Sequence, residues 1–430
     1  MKKSVFILLV ALFSASSMFA QAEKDLKGAS KALSKYFLDP AGNEGLLQES
    51  LDLLNKAFQS DEVKQTASSW ITRGKIFNEV ANSEFKSKTL SPDHKIQVAD
   101  AAIQAFQAYS QAFKLSEKKG EKKTILAGLK ESENHLNNFA IFAYQDQDYS
   151  TAFENFSSTL AAADLLKGAG EASRLDETEE AYDDQLFFAA LSGYYGERKM
   201  DAKPLLEKLY KKGSNEPIVY EALYTLNKEG GSADAIKYLE AGREKFPDDT
   251  TLLFAEINYY LTEGKLEQLI DKLKIAIEKE PDNVSVYTTL GSVYDQLQAT
   301  ALEEGDTEKA AGYFDSAFDY YNQAMSKDEG NFEAIYSMGA LYYNKAATYV
   351  DKLNEYAADL TPAGMKQYDA TKLEMDGLFE QALPFFLKAE SVKEGDPNTI
   401  IALKEIYARL NDLEKSNVYK AKYEALGGGE

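Results

Sequence analysis

Pro247 and Pro281 stand 34 residues apart, in the stretches KFPDDTTLL and KEPDNVSVY, and the chain keeps that interval around them. Val219, Leu253 and Tyr287 coincide under the same shift, as do Leu226, Tyr260 and Tyr294. A second segment follows the same step: Ala235, Leu239 and Gly242 fall on Leu269, Leu273 and Ala276. Each period therefore holds two apolar stretches of helical spacing, separated by turns such as NKEGGSAD and TEGKLE. Proline ends the second stretch, and the Asp or Asn after it caps the next. A two-helix unit of this size cannot bury its apolar face alone, so the chain must fold by stacking copies of it.

Within the units a finer spacing recurs. Tyr287, Leu290, Gly291 and Tyr294 occupy offsets 0, 3, 4 and 7, and so do Ile335, Met338, Gly339, Tyr342 and Trp70, Arg73, Gly74, Phe77. The glycine lets a first helix lie close to its partner, and the later aromatic fills the next groove. An Ala, large, Ala pattern on the second helix answers it: Ala105, Tyr109, Ala112; Ala317, Tyr321, Ala324; Ala382, Phe386, Ala389. At these residues the chain resembles the tetratricopeptide repeat (TPR) family, in its exported bacterial form. The resemblance implies an all-α fold, a right-handed superhelical solenoid of TPR helix hairpins. Nine units can be traced: about 23–66, 67–117 and 133–166 in an N-terminal block over 23–182, then 183–215, 216–249, 250–283, 284–331, 332–396 and 397–430 in a C-terminal block over 183–430. Leu223 and Ile257 depart from the small first-helix residue, and Glu256 and Leu269 fit poorly.

Three units are overlong. Nine residues separate the two helices' marker positions in a plain unit (Leu226 to Ala235), against 28 from Phe77 to Ala105, 23 from Tyr294 to Ala317 and 40 from Tyr342 to Ala382. The inserts keep helical spacing and are expected to elongate the hairpins. Ser91-Pro92, Gly305-Asp306 and Thr361-Pro362 offer helix starts. The 345–375 stretch is either part of elongated helices or an extra helix over 362–375, with a fresh start at Asp376 that makes Pro384 tolerable.

The first residues, MKKSVFILLVALFSASSMFAQA, have two lysines before a short apolar run and then small residues, the anatomy of a secretory signal peptide over 1–22. Cleavage is expected after Ala20 or Ala22, leaving a periplasmic (Gram-negative) or secreted, soluble chain. No cysteine follows the run, so a lipoprotein anchor is not expected, and zero cysteines also remove disulfides, thiolate metal sites and thiol nucleophiles. Loss of Lys2 and Lys3 takes the net charge from −22 to −24. Such acidity opposes nucleic acid and anionic membrane surfaces as partners.

Candidate chemistry is sparse. His94 and His135 are the only histidines, with neither a second nitrogen ligand nor HExxH spacing, so a structural or solvent-exposed role is expected. KGAGEAS (167–173) lacks the Lys-Ser/Thr of a phosphate loop and reads as a flexible connector. DETEEAYDD (176–184) does not match the alternating ligands of a calcium loop and reads as a solvated linker. No catalytic residue, metal ligand or cofactor site is nominated.

The resemblance implies instead a concave groove lined by set positions of each first helix. By register these hold Phe187, Tyr194, Tyr220, Tyr224, Phe254, Asn258, Thr288, Ser292, Tyr336, Tyr343 and Asn344. The aromatics either contact a ligand there or pack against the neighbouring hairpin. The Lys and Asn clamp that some members use to hold chaperone tails is absent. The expected function is a non-enzymatic scaffold that binds a protein or peptide partner in envelope assembly, secretion or a multiprotein complex, with homo-oligomers possible through the elongated hairpins. The alternative is a small-molecule or glycan binder, against which stand the missing lipid-anchoring cysteine and the single tryptophan, Trp70, at a repeat-core position.

Overall fold

The computed structural model describes residues 20–178 and 180–427, and among these every regular element is helical. The expected leader therefore lies, through residue 19, outside the described residues. The chain divides into two compact units, one running to Tyr238 and one from Leu239, so the 182/183 junction of the sequence blocks falls inside the first.

The first unit holds α1 (20–36), α2 (Glu44–Ala57), α3 (Ala67–Leu90), α4 (Ala101–Leu115), α5 (Lys119–Gln145), α6 (Tyr149–Gly168), α7 (Ala181–Tyr195), α8 (Lys199–Lys211), α9 (Pro217–Glu229) and the start of α10 (Ile236–Lys245). The second holds α11 (Thr250–Thr262), α12 (Leu266–Lys279), α13 (Val284–Glu303), α14 (Thr307–Lys327), α15 (Phe332–Ala347), α16 (Val350–Ala358), α17 (Pro362–Val392), α18 (Pro397–Arg409) and α19 (Leu413–Ala425). In α3/α4, α5/α6, α7/α8, α11/α12, α13/α14, α15/α17 (with α16 between them in the chain) and α18/α19, paired helices form antiparallel hairpins of the tetratricopeptide type, and neighbouring hairpins stack.

The glycine spacing works as its chemistry requires. A Cβ placed on Gly74 would stand 2.7 Å from the ring of Tyr109, one on Gly291 2.6 Å from Tyr321, and one on Gly339 3.2 Å from Phe386. In each hairpin the first helix thus lacks a side chain where the large second-helix residue enters. The tighter approaches lie well inside van der Waals contact, so only glycine fits there. Tyr109 meets a second glycine from the next hairpin: a Cβ on Gly128 of α5 would stand 2.1 Å from its ring. The departures from the repeat are accommodated too. Leu223 and Ile257 are core residues. Glu256 is buried and clamped by Arg243 at 3.1 Å and Lys272 at 3.0 Å, while Arg243 also donates to the carbonyls of Phe246, Pro247 and Asp249 and so ties down the proline turn.

The inserts elongate hairpins, with differences in detail. Helices α13 and α14 run 20 and 21 residues, and Asp306 caps α14 by accepting from the Lys309 N–H at 3.0 Å after Gly305 turns with φ +78°. Thr361 caps α17, with Pro362 in its first turn. The helix then runs 31 residues through Pro384 without a fresh start at Asp376. The extra helix is α16, earlier than the 362–375 alternative.

Ser91-Pro92, by contrast, opens no helix: Ser91 ends α3, and α4 begins at Ala101. The reason is Glu84, a buried carboxylate on α3. It accepts from the backbone N–H of Gln97 at 3.0 Å and of Val98 at 3.3 Å, and it meets the His94 ring at 2.9 Å. These bonds draw 92–98 back along α3 as a loop, which gives His94 a structural role. His135 is buried on α5, with its nearest carboxylate oxygen, on Glu131, 3.9 Å away.

Candidate functional site

In the first unit, helical periodicity brings two stripes of side chains face to face. On α5 the positions 137, 141 and 144/145 share one face, and on α7 the positions 181, 184/185 and 188 share another. Between them lies a cleft of about 440 Å³ whose apolar wall is Ile141, Tyr144, Phe156, Leu175 and Phe188, with Asn137, Asp184 and Gln185 among its polar groups. Phe188 is 40% exposed although it stacks on Phe156 and meets Tyr144 edge-on, each at 5.8 Å between ring centres. The row continues away from the cleft, from Tyr144 to Tyr149 at 5.5 Å and on to Tyr195, 51% exposed, at 5.6 Å. Gln185, buried beneath, donates to the Phe156 carbonyl at 3.2 Å and holds the floor of the cleft to α6.

The third wall is the α6–α7 connection, which the sequence presents as a flexible connector and a solvated linker. Its first part is pinned. Glu133 of α5 is only 1% exposed, and its carboxylate accepts from the Ser173 hydroxyl and from the Arg174 backbone N–H at 3.2 Å. Ser173 and Asp176 also form a reciprocal capping box around a short 3-10 turn, Arg174–Asp176. Burial pushes the Glu133 carboxyl up, with the Ser173 and Arg174 bonds opposing that rise. Replacing Glu133 with alanine strands the Ser173 hydroxyl and an N–H. It is expected to cost about 1–2 kcal/mol in denaturant unfolding and to open 169–178 to limited proteolysis; unchanged cleavage there would show that the carboxylate does not hold the connection.

The residues nominated by register divide. Tyr220, Tyr224 and Thr288 are buried. Tyr220 packs edge-on against Tyr210 at 5.5 Å and donates to the Ser214 carbonyl at 3.0 Å, while Thr288 bonds back to the Val284 carbonyl within its own helix. Phe187, Tyr194, Phe254, Ser292, Tyr336 and Tyr343 are half-buried, and Asn258 and Asn344 are exposed. Two of the tyrosines tie neighbouring first helices together. Tyr194 donates to Glu221 of α9 at 3.2 Å, and Tyr343 donates to Glu405 of α18. Both phenols are pushed up to about 12, by burial first and then by those carboxylates.

On α7 the open rings are Phe188 and Tyr195, each one residue after the nominated position. One helical residue is a turn of about 100°, enough to exchange the exposed face for the packing face. The exposed neighbours of adjacent aromatic pairs, Phe187-Phe188 and Tyr194-Tyr195, were the available signal. In the second unit Asp295 of α13 was missed as well. It is half-buried without a hydrogen bond or ion pair to a described residue, and burial lifts its carboxyl to about 6.

No family model matches the chain. Among curated proteins it is similar to the photosystem I assembly protein Ycf3 of Synechococcus sp. (strain CC9605), 27% identical over 124 residues, which is 28% of this chain and 71% of that protein. Solved structures with similarity include the C-terminal part of a TPR repeat-containing protein from Cytophaga hutchinsonii, at 18% identity over 56% of this chain and 95% of that one with a TM-score of 0.32. A TPR repeats protein from Bacteroides fragilis aligns at 15% identity over 64% of this chain and 98% of that one, with a TM-score of 0.27. The hairpins themselves, rather than these likenesses, carry the fold assignment.

Proposed function

We propose that this chain is a non-catalytic repeat scaffold that displays a rigid, aromatic-walled surface to a protein or peptide partner, and that it works outside the cytoplasm after its N-terminal leader is removed. The observation that carries the reading is the cleft between α5 and α7. Its open ring, Phe188, and Tyr195 further along the same row sit on a helix rather than a loop, so little ordering is needed when a ligand arrives. Solvent-facing Tyr and Phe beside a concave wall are the residue types enriched in contact surfaces. Ycf3 is named for assembly, which accords with a scaffold. The elongated hairpins α13/α14 and α15/α17 would serve as further docking projections or as contacts between copies.

A photoreactive benzophenone side chain at position 188 tests this in intact cells. A protein crosslinked there and absent with the same group on the far face supports the scaffold; a glycan or small ligand as the sole adduct, accompanied by a ligand-induced rise in melting temperature, overturns it. Phe188→Asp is expected to reduce capture of that protein by about tenfold or more while helicity stays unchanged.

A further inference from the structure

We infer that the α5–α7 cleft receives an aromatic or branched aliphatic side chain from a partner segment that carries lysine or arginine beside it. This deepens the scaffold reading and rests on it. The floor and walls select the apolar part: Ile141, Tyr144, Phe156 and Phe188 leave about 440 Å³ between them, open on one side. An open apolar wall of this kind is stable only because rigid helices hold it, and a buried ring is the partner group that gains most from it.

The rim selects the charge. The pinned connection carries Asp176 and Glu177, Glu180 precedes α7, and Asp184 lies in its first turn; Glu177 and Asp184 line the cleft itself. Neither Glu177 nor Asp184 forms an ion pair with a described residue, whereas Asp183 on the neighbouring face is taken by Lys212. Among the described residues on the wall Arg174 is the one cation. Its backbone N–H is held by the buried Glu133 carboxylate at 3.2 Å. With two carboxylates, Glu177 and Asp184, to the single guanidinium of Arg174 in its lining, the rim faces a ligand with net negative charge. An acidic segment would be repelled there, and a basic one is drawn in over roughly the 8–10 Å that salt leaves unscreened. The pinning of 173–176 matters for this reason: it fixes part of the acidic rim at the cleft mouth, so the carboxylates are not spread through a loose loop.

Short fluorescein-labelled peptides titrated against the full chain test the chemistry by anisotropy. A phenylalanine flanked by lysines should bind about tenfold or more tighter than either the same peptide with alanine for phenylalanine or one with phenylalanine flanked by glutamates. Phe188→Ala, at an open position that spares the core, should weaken the first peptide by about tenfold. Glu177→Gln with Asp184→Asn should weaken it and flatten its salt dependence, with Phe188 intact. Equal binding of the glutamate-flanked peptide, equal binding of the alanine peptide, or no effect of Phe188→Ala overturns the assignment. If none of these peptides binds while the crosslinker at position 188 still captures a protein, the basic-aromatic chemistry is wrong and the scaffold stands. Capture of no protein at position 188 removes the scaffold reading instead.

Discussion

Replacing Gly128 with alanine is expected to destabilise the first compact unit by about 3 kcal/mol, although alanine is the better helix former. Propensity alone argues the other way: a glycine in the middle of a helix gives up roughly 1 kcal/mol relative to alanine, so an unconstrained Gly→Ala change in α5 would stabilise. Packing reverses the sign. The new methyl would sit 2.1 Å from the Tyr109 ring, and the ring has no free direction in which to move, because Gly74 of α3 brings backbone to its other side. Tyr109 is 2% exposed. Equilibrium urea unfolding of the full chain, followed by circular dichroism, reads the effect. Adding Tyr109→Leu should restore part of the loss, a non-additivity that a simple cavity would not produce. A Gly128→Ala chain as stable as the parent would show that the ring is not clasped.

Asp295→Asn is expected to act in the opposite direction and only above mildly acidic pH. Burial lifts the Asp295 carboxyl from its ordinary 3.8 to about 6 in the folded chain, with no bonded partner to offset it. A carboxyl whose acidity is weaker folded than unfolded adds stability below pH 4, and that contribution is lost as pH rises through about 6. At pH 7.5 the ionised group therefore opposes folding by about 2–3 kcal/mol, of which an amide of the same shape should recover about 2 kcal/mol. Melting curves at pH 4 and pH 7.5 decide the matter. The variant should match the parent at pH 4 and melt several degrees higher at pH 7.5 in the transition of the second unit. An equal gain at both pH values would mean that shape rather than charge is responsible.

How much of this was legible in the sequence follows from how local each feature is. The hairpins and the pairs Gly74/Tyr109, Gly291/Tyr321 and Gly339/Phe386 were readable, because a 34-residue period and a four-residue offset both lie within one unit. Gly128 was not, because it lies in the first half of a 27-residue helix that extends the repeat before residue 133, outside any traced unit. The connection between α6 and α7 looked loose because its anchor, Glu133, is 40 residues away from Ser173 in sequence. The loop over 92–98 misled for a similar reason: Ser-Pro is a sound helix start in isolation, and a single carboxylate on the preceding helix overrides it. On α7 the nominated positions and the open rings differ by one residue. Aromatic pairs such as Phe187-Phe188 fill both faces of α7, and composition does not say which ring is turned outward.

The ring of Tyr109 belongs to no single hairpin, since α4 supplies it and both α3 and α5 are shaped to accept it. In an ideal repeat array each unit has its own intrinsic stability and couples to its neighbours through a separate interface term. Here one side chain serves as core and interface at once, so those two terms cannot be varied independently. Fraying of α3/α4 must leave the notch at Gly128 empty, and loosening of α5 must unseat the core of the hairpin before it. The smallest cooperative block in this part of the chain is therefore two hairpins, and slow amide exchange should extend across α3, α4 and α5 as a single tier.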